Sequence, residues 1–96
     1  MIGERLRAIR ESLGLTLRDV ETKSREIAEA RENPEFSLSA GRLCNVENSN
    51  SLPSIYKLAT MCIIYRLSYS ELLNLYGVVV RREGSDRPLN PSATNS

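Results

Sequence analysis

The side chains in this sequence that are able to do chemistry are few. Histidine is absent, which removes imidazole general bases, imidazole metal ligands and charge switching near neutral pH. Cys44 and Cys62 lack CxxC spacing and have no imidazole to activate them. Each reads as a small buried hydrophobe rather than a nucleophile, a metal ligand or half of a disulfide. There is no G-x-S-x-G turn and no phosphate-cradling glycine loop. Carboxylates fall beside Lys or Arg at helical spacing, as in Glu21 and Arg25, a pattern of solvated ion pairs rather than acid/base dyads. No enzymatic activity, cofactor, metal or small-molecule substrate is therefore expected. What remains is recognition by the surface of a helix, for which guanidinium and amide side chains such as those of Arg42 and Asn45 supply donors and acceptors.

The elements that position these residues are helical, since no segment alternates apolar and polar residues. Ile2, Leu6, Ile9 and Leu13 form one stripe of a first helix, with Gly14 as its C-terminal stop. Thr16 and Asp19 approximate a capping box for a second helix. Its face is traced by Leu17, Val20, Ser24, Ile27, Ala28 and Arg31, with polar members that weaken it. That helix runs to about residue 32, or breaks near Ser24 and restarts, before Asn33-Pro34 stops it. Ser39 caps a short third helix with Leu43 and Val46 inward. Pro53-Ser54 opens a fourth, bearing Ile55, Leu58, Ala59 and Cys62. Ser68 and Glu71 form a capping box for a fifth helix, which carries Leu72, Leu73 and Tyr76 and ends at Gly77. Residues 78–80, all valine, read as a short strand or a linker. Residues 84–96, rich in Pro, Ser and Asn, read as a disordered tail.

Ninety-six residues are enough for one core. The expected division is a domain over residues 1–77 and a flexible tail over 78–96. With 13 basic and 12 acidic residues the formal charge is +1, so no basic coat or acidic tail stands out. The longest apolar run, residues 61–65, is far short of the ~20 residues a membrane helix needs. The opening MIGERLRAIRE is charged and amphipathic, unlike a signal peptide. With two cysteines in no disulfide pattern, the expectation is a reduced, cytoplasmic setting.

Four pieces in this order, IGERLRAIRESLGLT, TLRDVETKS, SAGRLCNVEN and LPSIYKLATMCIIYRLSYSELL, resemble the helix-turn-helix domain of the phage repressor and Cro (XRE-like) transcriptional regulators. The resemblance covers about four-fifths of the chain. It implies an all-α, five-helix repressor-like bundle that binds double-stranded DNA, with helix 3 in the major groove and helix 2 braced on the backbone. Carried onto this sequence, Ser39, Ala40, Gly41, Arg42 and Asn45 would face the groove. Thr16, Leu17 and Asn48 would position the DNA backbone. Arg10 and Glu47 would form a structural ion pair that sets the angle of helix 3.

The sequence departs from that family in three places. Residues 25–37 lengthen the helix 2–helix 3 connection, as a helical extension followed by a Pro-containing return. Glu21 stands where the family prefers a small residue, so it needs a basic partner, Arg25 or Arg42, or a shifted helix 2. The turn after helix 3, residues 48–51, is neutral where family members are often basic. Charge is also evenly spread: residues 1–36 carry seven basic and eight acidic side chains, and residues 37–77 carry three and two. Grip on DNA through counterion release is therefore expected to be modest, which calls for a homodimer. Met61, Ile64, Tyr65, Leu75, Tyr76 and residues 78–80 are either the candidate dimer surface or the filling of the core around the fifth helix. Arg5, Arg7 and Arg81-Arg82 are further basic residues able to reach phosphates. The alternative expectation is a protein-interaction module on the same fold, with weak or no DNA binding.

Overall fold

The structure, a computed structural model, describes residues 1–79. Among them it is all-α: α1 (Ile2–Ser12), α2 (Leu17–Ala30), α3 (Ala40–Glu47), α4 (Ile55–Tyr65) and α5 (Tyr69–Leu75). A single 3-10 turn, Pro34–Phe36, lies between α2 and α3. No described helix is long and apolar enough to cross a membrane. The tail expected over residues 84–96, with Val80, Arg81 and Arg82, lies outside the described residues.

Hydroxyl side chains start four of the helices. Thr16 Oγ1 accepts from Asp19 N at 3.0 Å while Asp19 Oδ2 accepts from Thr16 N at 2.9 Å. Ser68 and Glu71 repeat that reciprocal box on α5 at 3.1 and 2.7 Å. Ser39 caps α3 through Arg42 N, and Ser54 caps α4 through Lys57 N. Each satisfies a backbone donor that a helix start otherwise leaves unpaired, and is worth about 1 kcal/mol. After α1 the chain turns through Gly14 at φ +72°, a left-handed conformation that favours glycine. α4 ends in the same region without glycine, at Arg66 with φ +60°.

The core draws on every helix. Leu6 (α1), Val20 (α2), Leu43 and Val46 (α3), Leu58, Met61, Cys62 and Tyr65 (α4) and Leu72 (α5) are buried together, with Leu38 from the connection. Of the two readings of Met61 and Tyr65, dimer surface or core, the core holds: both are fully or almost fully buried. The apolar residues of α4 run nearly all round the helix, so spacing alone does not say which of them face inward. Of the two readings of residues 78–80, strand or linker, no strand forms at residues 78 and 79, and both valines are exposed.

α2 does not break at Ser24, and the reason lies in the connection. Ser24 is fully buried. Its Oγ accepts from Leu38 N at 2.8 Å and lies 3.2 Å from Leu38 O. A polar residue in the apolar stripe of α2 thus satisfies the backbone beside a buried leucine. Lys57 Nζ donates to the carbonyls of Glu35 and Ser37 at 2.7 and 2.6 Å, and Thr60 Oγ1 donates to that of Phe36. Phe36 packs edge-on to Tyr56, with centroids 5.2 Å apart, and the Arg31 guanidinium covers its ring. The long connection is therefore pinned to α2 and α4 rather than loosely looped.

Candidate nucleic-acid interface

α3 is short, eight residues, and its two sides differ. Leu43, Val46 and Glu47 point inward and are buried. Ser39, Gly41, Arg42 and Asn45 are exposed, and Ala40 is half-buried. The side chains of Arg42 and Asn45 make no hydrogen bond or ion pair among the described residues, so their polar groups face solvent. Ser39 Oγ accepts the cap bond from Arg42 N at 3.1 Å and keeps its own proton to donate.

The inner side is held by charge. Arg10, on α1, and Glu47, at the last turn of α3, form a two-point fork: Nε to Oε2 at 2.7 Å and Nη2 to Oε1 at 3.0 Å. Arg10 Nη1 also donates to Leu15 O at 2.8 Å, which ties the α1–α2 turn into the same unit. The Glu47 side chain is 2% exposed and that of Arg10 is 9%. The hydrogen bonds that Arg10 donates to the Glu47 carboxylate raise its pKa above the ordinary value despite burial. Removing one member would strand the other charge in a low-dielectric interior.

Around this fork lie residues for which sequence reasoning assigned no structural role. Arg7 Nε stands 3.6 Å from Glu47 Oε1, and its Nη2 donates to Asn48 Oδ1 at 3.1 Å. Ile2 N donates to Asn50 Oδ1 at 3.0 Å, so the start of α1 is bonded to the exit of α3. Between them Gly3 is buried, and a Cβ there would collide with the backbone oxygens of Glu47 and Ser49. A glycine within an amphipathic helix is the sequence signal for such a close crossing.

The positions expected to touch the DNA backbone fare unevenly. Asn48 is exposed, but its amide is occupied: Nδ2 donates to Cys44 O at 2.9 Å while Oδ1 accepts from Arg7. The same Nδ2 also donates to Cys44 Sγ at 3.4 Å, so Asn48 caps the end of α3 with both of its amide N–H groups engaged. Thr16 is exposed and Leu17 half-buried at the start of α2, which packs against α3. The two bonds from Thr16 lower the Asp19 pKa, backbone N–H first. An ionised carboxylate therefore offsets the positive end of α2. Glu21, largely buried, meets Arg25 at 2.8 Å on its own helix rather than Arg42, which has no ion-pair partner among the described residues.

Among the described residues no group of three or more Cys, Asp or Glu is placed to hold a metal. A shallow groove of about 360 Å³ between α2 and α4 is lined by Ile27, Ala30, Ile63 and Ile64, with Lys23, Glu26 and Arg66 at its rim. It includes no residue of α3. The chain matches no protein-family model, no curated protein and no solved structure.

Proposed function

We propose that this chain is a sequence-specific double-stranded-DNA-binding transcriptional regulator, acting as a homodimer in the cytoplasm, with α3 entering the major groove. One observation carries the reading. α3 is locked from behind by a buried two-point ion pair, while the side chains of Arg42 and Asn45 stand on its outer face with no partner among the described residues. A rigid helix bearing an unengaged guanidinium and an unengaged amide suits base-edge reading. The resemblance to repressor and Cro-type regulators points the same way. Thr16, Leu17 and Asn48 would flank the groove-reading residues, with Arg7 orienting Asn48.

The formal charge of +1 sets the mode of binding. Few phosphates are neutralised per subunit, so affinity falls only gently with salt, and two subunits supply what one lacks. With Met61 and Tyr65 in the core, the remaining dimer candidates are the half-buried Ile64, Leu75 and Tyr76 with the exposed Val78 and Val79. The apolar α2–α4 groove favours a second reading, a protein-interaction module on the same fold.

In vitro selection from a random duplex pool, followed by titration at several salt concentrations, separates the two. Enrichment of a palindromic sequence with salt-dependent affinity supports regulation through DNA. No enrichment at low salt and high protein concentration overturns it in favour of the interaction module.

A further inference from the structure

α2 carries two faces that the fold uses differently. Val20, Ser24 and Ala28 are buried in the core-facing side. Lys23, Ile27 and Ala30 recur at helical spacing on a second face, which forms the groove of about 360 Å³ with Ile63 and Ile64 of α4. Ile27, Ala30 and Ile63 belong neither to the core cluster nor to the residues packed against it. A smaller hollow of about 180 Å³ continues from Ile64 to Leu13 and Leu15 in the α1–α2 turn, again beside Lys23 and Arg66. Aliphatic surface from three parts of the chain thus forms one strip.

The cations along that strip are unengaged. Lys23 and Arg66 are exposed and take part in no ion pair among the described residues. One carboxylate, Glu26, lines the groove with them. Arg66 holds its place at a conformational cost, since it ends α4 at φ +60°, where glycine is favoured. Its side chain lines both hollows and makes no hydrogen bond among the described residues.

We propose that the α2–α4 groove docks an acidic amphipathic helix of a partner protein. This occupant extends the interaction reading of the groove and holds whether or not α3 reads DNA. The aliphatic side of the docked helix, spaced i, i+3 or i+4 and i+7, lies on Ile27, Ala30, Ile63 and Ile64. Carboxylates flanking that side meet Lys23 and Arg66. A shallow trough leaves a small ligand wet on one side, whereas a helix brings its own polar back. Two cations against one carboxylate decide among the helical occupants. A second copy would bring like charge to like across a two-fold axis, and a basic helix would meet the same repulsion. The groove includes no residue of α3, so partner and duplex occupy different surfaces.

Selection from displayed random peptides of about 15 residues, roughly four helical turns, tests this with the full chain as bait. The Kd of the enriched peptide is then measured by fluorescence anisotropy. Enriched peptides are expected to be net acidic, with aliphatic residues at i, i+3 or i+4 and i+7. They should gain helicity on binding and bind more weakly as salt rises. Ile63→Asp, at an exposed position, is expected to melt like wild type and to weaken the peptide about tenfold or more. Arg66→Gly is expected to melt at the same temperature or higher, yet to bind the peptide about threefold more weakly. Lys23→Glu/Arg66→Glu is expected to lose the acidic peptide and, in a fresh selection, to enrich basic ones. The inference is overturned if wild type enriches no peptide, or only neutral or basic ones. It is equally overturned if the acidic peptide binds Ile63→Asp or the charge-reversed variant as tightly as wild type. A wild-type dimer that Ile63→Asp makes monomeric also overturns it, by placing a second copy in the groove. A chain that binds the peptide but selects no duplex upholds this inference and overturns the DNA-binding reading; the reverse outcome does the opposite.

Discussion

The two sides of α3 are bonded in contrasting ways. On the inner side Glu47 is forked by Arg10, approached by Arg7 and crossed by the backbone at Gly3. On the outer side Ser39 spends one lone pair on its cap, while Arg42 and Asn45 engage nothing among the described residues. On the proposed DNA-binding reading, the satisfied polar groups on one side would position α3 and the open ones on the other would read base edges. Changes on the inner side should alter stability, whereas changes on the outer side should alter recognition and leave the fold in place.

The largest effect is expected at the fork. Arg10→Met leaves the Glu47 carboxylate buried without its principal partner, and urea unfolding should show a loss of about 3–5 kcal/mol. A change below about 1 kcal/mol would mean that the pair behaves as an exposed one. Gly3→Ala forces a Cβ into the backbone at the α1–α3 crossing and should cost about 1–3 kcal/mol in the same assay. A neutral result would show that the two helices part easily.

On the outer side, Asn45→Ala should move stability by no more than about 0.5 kcal/mol. It should relax preference at one base-pair position of a selected duplex by about 1–3 kcal/mol. Equal weakening on every sequence would place Asn45 on the backbone instead.

The smallest effect concerns Tyr65. Its hydroxyl is buried with no hydrogen-bond partner among the described residues, so Tyr65→Phe should be neutral or stabilising by up to about 1 kcal/mol near pH 7. Burial, then the nearby Glu47, push the Tyr65 phenol above its ordinary pKa, and burial raises the Cys62 thiol. Groups raised in the folded state contribute fully below their unfolded pKa values, roughly 8.5 for Cys and 10 for Tyr. That contribution is lost as the pH rises beyond them. Melting temperature should accordingly fall above about pH 9, and less steeply in Tyr65→Phe; parallel curves would contradict this origin.

Much of the architecture was legible because it is local. Thr16 with Asp19, Ser39, Ser54, and Ser68 with Glu71 announce helix starts within four residues of chain. Leu43 and Val46 set the inward side of α3, which places Arg42 and Asn45 outward by helical geometry. What escaped depended on distant partners. Ser24 looked like a flaw in an apolar stripe because the backbone it bonds, at Leu38, lies 14 residues away across an irregular connection. Met61 and Tyr65 could be read either as core or as a dimer surface because α4 is apolar on several flanks. Asn48 is exposed as expected, yet its amide is engaged by Cys44 and Arg7, and the partner on α1 leaves no trace in local spacing.

The separation of positioning from reading is tested most directly by Arg42→Ala/Asn45→Ala, measured for melting temperature and for affinity to the duplex that wild type selects. The account predicts a melting temperature within a few degrees of wild type and an affinity lower by about a hundredfold or more. Unchanged affinity in the double variant, or a wild-type protein that selects no duplex at all, would contradict it.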